Sequence, residues 1–153
     1  MKHIWTVLCQ KSSIDNESNM ISLFDCLEQI KFIVDKTKME NTNNIVFPIS
    51  FQIASFWTED NNTKDKKLDM KVELYDPENE MIKDFIGKFI VKKGIVRFRS
   101  RININGLFTT KSGRYYFVIK YKNGSNKQYK KVAELPLDID IKYKLSDYKK
   151  KKQ

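Results

Sequence analysis

Residues 95–122, IVRFRSRININGLFTTKSGRYYFVIKYK, alternate so regularly that few folds remain open to the chain. Val96, Phe98, Ile102 and Ile104 share one face, and Arg97, Arg99, Arg101 and Asn103 share the other. Successive side chains of a strand point to opposite sides of its sheet, so this period of two marks a half-buried strand. After turn signals at Asn105-Gly106 and Ser112-Gly113, a second strand opens on Tyr115, Tyr116 and Phe117 and ends at Asn123-Gly124. The Asn-Gly pair predicts a tight hairpin there, because both central residues of a type I′ turn need positive φ.

Other segments lay further strands around this pair. Residues 3–10 place Ile4 and Leu8 on one side and Trp5, Val7 and Cys9 on the other. Apolar residues on both faces suit a strand covered on both sides or near a sheet end. Residues 11–19 read as a polar turn. Residues 20–34 are ambiguous: Ile21, Phe24, Leu27 and Ile30 recur as on an amphipathic helix, yet the β-branched and aromatic residues suit strands. Residues 35–44 read as a polar loop. Residues 45–57 alternate through Ile45, Phe47, Ile49, Phe51, Ile53 and Trp57, and Pro48 predicts an edge or bend because it lacks a donor. Strands follow through Leu68, Met70, Val72 and Leu74, through residues 81–91, and through residues 127–143 with a bend at Pro136. Seven to nine short strands at this spacing predict an all-β antiparallel sandwich.

The chain of 153 residues fits one domain, expected over residues 1–143, with a Lys-rich tail at 144–153. A hydrophobic share of 41% is enough for a packed core and argues against global disorder. The formal charge is +10, and without Lys149, Lys150, Lys151 and Lys152 it is still 10 − 4 = +6. A basic surface favours nucleic acid, anionic membrane or an acidic protein. The sequence has no apolar run of about 18 residues, so no membrane span is expected. Residues 1–10 lack the apolar stretch of a signal peptide, which predicts a cytoplasmic protein whose Cys9 and Cys26 stay reduced.

Two sets of residues carry a resemblance. Gly113, Tyr115 and Phe117, following Leu107-Phe108, resemble the start of strand F in immunoglobulin-like sandwiches, where a tyrosine hydroxyl bonds back to upstream backbone. The order of Val7-Leu8-Cys9, Ser22-Leu23 with Leu27 and Ile30, Phe47-Pro48, Phe56-Trp57-Thr58 and Tyr75-Asp76-Pro77 resembles a family of uncharacterised, mostly bacterial β-sandwich proteins. The likeness covers roughly residues 4–141. It implies strands for residues 20–34 and an immunoglobulin-like fold, and it implies no activity. The polar stretch 35–44 and the Lys tail depart from the pattern.

Catalytic chemistry finds little support. The lone histidine, His3, shares a strand face with Cys9 in strict alternation but sits roughly 20 Å from it. His3, Cys9 and Cys26 lack the close-spaced pairs of a zinc site. Residues 60–65 resemble a calcium loop faintly, with Lys64 where a ligand belongs. Glu134, Asp138 and Asp140 share a parity that suits a wet strand face, and no glycine-rich phosphate loop is present. The expectation is therefore a non-enzymatic module with no cofactor, no metal and no small-molecule substrate. The candidate partner-binding residues are Arg97, Arg99, Arg101, Arg114, Lys120, Lys122, Tyr116 and Tyr129, with Lys92, Lys93, Lys127, Lys130 and Lys131 nearby. Arginine forks onto carboxylates, so a protein partner or self-association fits; cations interleaved with aromatic rings also suit nucleic acid. An ordinary solvated sheet face would show the same charges.

Overall fold

A computed structural model describes residues 1–35, 45–109, 111–124, 126 and 128–144. These residues form nine strands: β1 (Lys2–Ile14), β2 (Ile21–Cys26), β3 (Gln29–Asp35), β4 (Ile45–Thr58), β5 (Lys66–Tyr75), β6 (Met81–Val91), β7 (Arg97–Thr109), β8 (Gly113–Asn123) and β9 (Lys130–Lys144). Sheet one has the order β2-β1-β4-β7 and sheet two the order β3-β9-β8-β5-β6. Their inner faces make one core, an all-β sandwich as the alternation requires. Aromatic pairs cross it: Phe51 meets Phe117 edge-on at 5.8 Å, Phe32 stacks on Phe47 at 3.6 Å, and Phe89 meets Phe98 at 5.6 Å.

Residues 20–34 are strands, and the three-residue recurrence has a plain origin. β2 belongs to sheet one and β3 to sheet two, so the apolar pattern shifts where the chain changes sheets. The crossing takes a single peptide. Leu27 N still donates to Leu8 O at 2.9 Å, while Glu28 O already accepts from Asp138 N at 3.0 Å. Leaving sheet one there, β3 arrives alongside β9 running in the same direction, so this pair is parallel while the others are antiparallel. The wholly antiparallel expectation is corrected to that extent.

Local irregularities correct three further expectations. Ile4 is an extra residue between the pairs His3–Trp57 and Trp5–Phe56. A bulge of one residue inverts the alternation, so His3 points into the core and Cys9 points outward; they do not share a face. Gly106 is no turn. It lies within β7 at φ 84, where the inward residues change from Ile102 and Ile104 to Leu107 and Thr109. The bend at Pro48 is its counterpart, because Phe47 and Ser50 pair with Leu107 and Asn105 across this irregularity. Asn123-Gly124 forms no type I′ turn: neither residue has positive φ, and β9 begins only at Lys130. Gly124 N instead donates to Lys67 O at 2.9 Å, which ties the loop to β5.

β1 runs on through residues 11–14, which were expected in a turn, and residues 15–20 make that turn. Pro136 does not interrupt β9; it faces Tyr116 where β9 has, among the described residues, no partner on its other side, a position that spares the missing donor. Tyr115 is fully buried, and its hydroxyl donates to Lys111 O at 2.8 Å and lies 2.6 Å from Thr109 Oγ1. Of the expected loop 35–44, Asp35 ends β3, and of the expected tail 144–153, Lys144 ends β9; the rest of both, and Lys127, lie outside the described residues.

Candidate partner-binding faces

The strand register divides the predicted basic surface in two. Arg97, Arg99 and Arg101 stand on β7 and face outward from sheet one, opposite in parity to the buried Ser100, Ile102 and Ile104. Arg114, Tyr116, Lys120 and Lys122 stand on β8 and face outward from sheet two, opposite in parity to the buried Tyr115, Phe117 and Ile119. The two sets therefore lie on opposite sides of the sandwich and make no common stripe. Tyr129 sits in the β8–β9 connection, with Lys122 Nζ 4.9 Å above its ring.

On sheet two the predicted cations Arg114, Lys120 and Lys122 each meet a carboxylate. Arg114 holds Asp138 through two hydrogen bonds of 2.7 and 3.0 Å. Lys120 reaches Glu73 at 2.6 Å, Lys122 reaches Asp69 at 3.7 Å, and Lys131 pairs with Glu134. Glu73 also takes Lys71 at 3.0 Å and the Tyr75 hydroxyl at 2.8 Å. Burial opposes charge on this carboxyl, but the bonds from Lys120, Tyr75 and Lys71 outweigh it and hold its pKa at about 2. The hydrogen bond to Asp138 likewise strengthens the hold of Arg114 on its proton. Cross-strand opposite charges explain the arrangement: Lys71 stands opposite Lys120 and Glu73 opposite Asp84, so each like-charged pair is relieved by its diagonal neighbours. A hollow of about 330 Å³ lies among Tyr75, Tyr116, Lys120 and Glu134.

Sheet one is different. Trp5, Phe56 and Arg99 are directly opposite one another across β1, β4 and β7, so their side chains form an outward row. The Trp5 and Phe56 rings lie 5.8 Å apart, and the Arg99 guanidinium lies 5.8 Å from the Phe56 ring. Arg99 is not free: Nη1 donates to Asn19 Oδ1 and Nη2 to Asn19 O, both at 2.9 Å. Asn19 belongs to the β1–β2 turn, and β4 lies between β1 and β7 in the sheet. The hairpin must therefore curl across the outer face of β4. That cover accounts for Cys9 and Ala54, which point outward yet are 0% and 1% exposed. It also explains Ser12, whose N and Oγ both donate to Gln52 Oε1, at 2.9 and 2.8 Å. Arg97 and Arg101 flank the row, exposed, and make no ion pair among the described residues.

Trp5 and Phe56 are absent from the partner-binding residues predicted from the sequence. Their alignment with Arg99 depends on the Ile4 bulge and the β1–β4 register, neither of which is written in the sequence. The remaining motifs have structural employment. His3 Nε2 is 2.6 Å from Thr6 Oγ1, its ring meets Trp57 at 4.9 Å, and burial lowers its pKa. Within the calcium-like stretch, Asp65 binds Lys92 and the Lys93 amide, while Asn62 ties the Lys92 and Ile95 carbonyls. Among the described residues no cluster of three or more His, Cys, Asp or Glu could hold a metal ion, and no helix is long and apolar enough to cross a membrane. No family model and no curated protein matches the chain.

Proposed function

We propose that the chain is a non-enzymatic protein-interaction module on an immunoglobulin-like sandwich, working through the outer face of sheet one. One contrast carries the reading. The candidate cations of sheet two, Arg114, Lys120 and Lys122, each hold a carboxylate, whereas the candidates Arg97 and Arg101 of sheet one have no carboxylate partner among the described residues and stand beside a row of aromatic rings. Aromatic residues and arginine are the side chains most enriched at protein interfaces, and arginine forks onto carboxylates. An acidic segment with apolar residues is the partner this face fits. The immunoglobulin likeness is supported by the Tyr115 corner at the start of β8. The likeness to the bacterial sandwich family adds no activity to this reading.

Nucleic acid is the second reading, favoured by the Trp5 and Phe56 rings as stacking surfaces. One experiment separates the two. The full chain and its Arg97→Glu/Arg101→Glu variant are titrated against labelled acidic peptides bearing aromatic residues, and against single-stranded DNA. Peptide binding weakened at least about tenfold in the variant supports the proposal, since a factor of ten matches a loss near 1.4 kcal/mol. Peptide binding unchanged by the reversal sinks it. If DNA binding is lost instead, and falls steeply with salt, the nucleic-acid reading takes its place.

A further inference from the structure

Cys9 and Cys26 are directly opposite each other on β1 and β2. The ladder bond nearest them runs from Leu27 N to Leu8 O, at 2.9 Å, joining the residues that flank the pair. Cys9 and Cys26 thus occupy a non-hydrogen-bonded site, where Cα atoms stand about 4.5 Å apart and side chains come closest. A disulfide needs Cα atoms about 4.4–6.8 Å apart, so the backbone already sits where the bond can close. The residues are unequal. Cys26 is exposed and Cys9 buried, and the Cys9 thiol is pushed up first by burial and then by its neighbour Cys26. A hollow of about 450 Å³ opens beside Cys26, lined also by Leu27, Arg114 and Pro136. The cysteine that solvent reaches therefore has room for a small reactant, and the second thiol waits across the ladder.

We propose that Cys9 and Cys26 are an oxidisable dithiol site that reacts with a low-molecular-weight disulfide. The Cys26 thiolate attacks one sulfur of the small disulfide, whose S–S bond breaks, and the first small thiol leaves as a thiolate that takes up a proton. The result is a mixed disulfide on Cys26. Cys9 then gives its proton to water, and its thiolate attacks Cys26 Sγ; the second small thiol departs and is protonated in turn. Two protein thiols are oxidised and one small disulfide is reduced to two thiols, so electrons and atoms balance. The closed bond ties β1 to β2 at the root of the hairpin whose turn holds Arg99. The chemistry stands on the register alone and does not depend on the binding reading.

The test incubates the folded full chain with oxidised glutathione, quenches with acid, alkylates the remaining thiols and measures intact mass. The expected product has lost both thiols and carries no glutathione, and dithiothreitol restores both. Cys9→Ser is expected to keep one glutathione on Cys26, and Cys26→Ser to resist modification because Cys9 is sheltered. Wild-type protein that keeps glutathione on Cys26 beside a free Cys9 overturns the proposal. So does Cys9 reacting in Cys26→Ser as fast as Cys26 does in Cys9→Ser. The wild-type product is the deciding arm, so the proposal stands or falls on it even where a variant fails to fold.

Discussion

Glu73 has a buried side chain, 7% exposed, with three donors around it. Its pKa falls from an ordinary 4.5 to about 2, so the folded state binds its proton more weakly than the unfolded chain does. Stability from this carboxylate is complete above pH 4.5 and is lost as pH falls toward 2. Glu73→Gln removes the charge and leaves Lys71 and Lys120 facing an amide. The expected cost is about 1–3 kcal/mol at neutral pH, measured by urea unfolding. The difference between variant and wild type should shrink as pH is lowered through that window, and a pH-independent difference would contradict the assignment. The sequence shows Glu73, Lys71 and Tyr75 as ordinary wet residues of an alternating strand. Their importance comes from Lys120 on a strand far away in the chain, and only the β5–β8 register brings it there. Arg99 reads as one of three equivalent arginines for the same reason: its partner Asn19 is 80 positions away.

At the scale of elements, strand existence was legible and strand irregularity was not. Alternation through Arg97 to Ile104 or through Leu68 to Leu74 survives into structure because one face of each strand lies in the core. The Ile4 bulge, the Gly106 reversal and the crossing at Leu27-Glu28 change parity without a residue type that announces it; Gly106 in particular resembles a turn. Gly113 could be read correctly, since it opens β8 at φ 148, and a Cβ there would stand 2.5 Å from Pro77 Cγ. The Tyr115 corner was also legible from Gly113, Tyr115 and Phe117, since the motif is local. Tyr115→Phe keeps the ring in the core and removes the hydroxyl that serves Lys111 O and Thr109 Oγ1. Thr109 Oγ1 still donates to Lys111 O at 3.1 Å, so the net loss is that of an ordinary hydrogen bond, about 0.5–1.5 kcal/mol in chemical denaturation. A loss below about 0.5 kcal/mol would mean that water replaces the hydroxyl, and the corner would then be ornamental.

The whole molecule depends on how two sheets share one interior, and their joints differ. Phe117 is fully buried at the centre, edge-on to Phe51 from the opposite sheet. Phe32 lies on β3, which ends one sheet, and stacks on Phe47 beside the β4 irregularity. Removing the central ring should loosen both sheets together, because every inner strand packs toward that point. Phe117→Ala is therefore expected to cost about 3–5 kcal/mol and to lower amide protection across β4, β5 and β8 alike. Phe32→Ala should act locally. β3 is held on one side by β9, so its amides should exchange faster while those of β5 and β6 keep their protection. Native-state hydrogen exchange on both variants decides the matter. If Phe32→Ala lowered protection everywhere, β3 would be part of the cooperative core, and its crossing from sheet one would be a folding requirement for the entire sandwich. If its effect stops at β3 and β9, the crossing strand is an attachment to a core already complete, and sheet two could open at that end without unfolding.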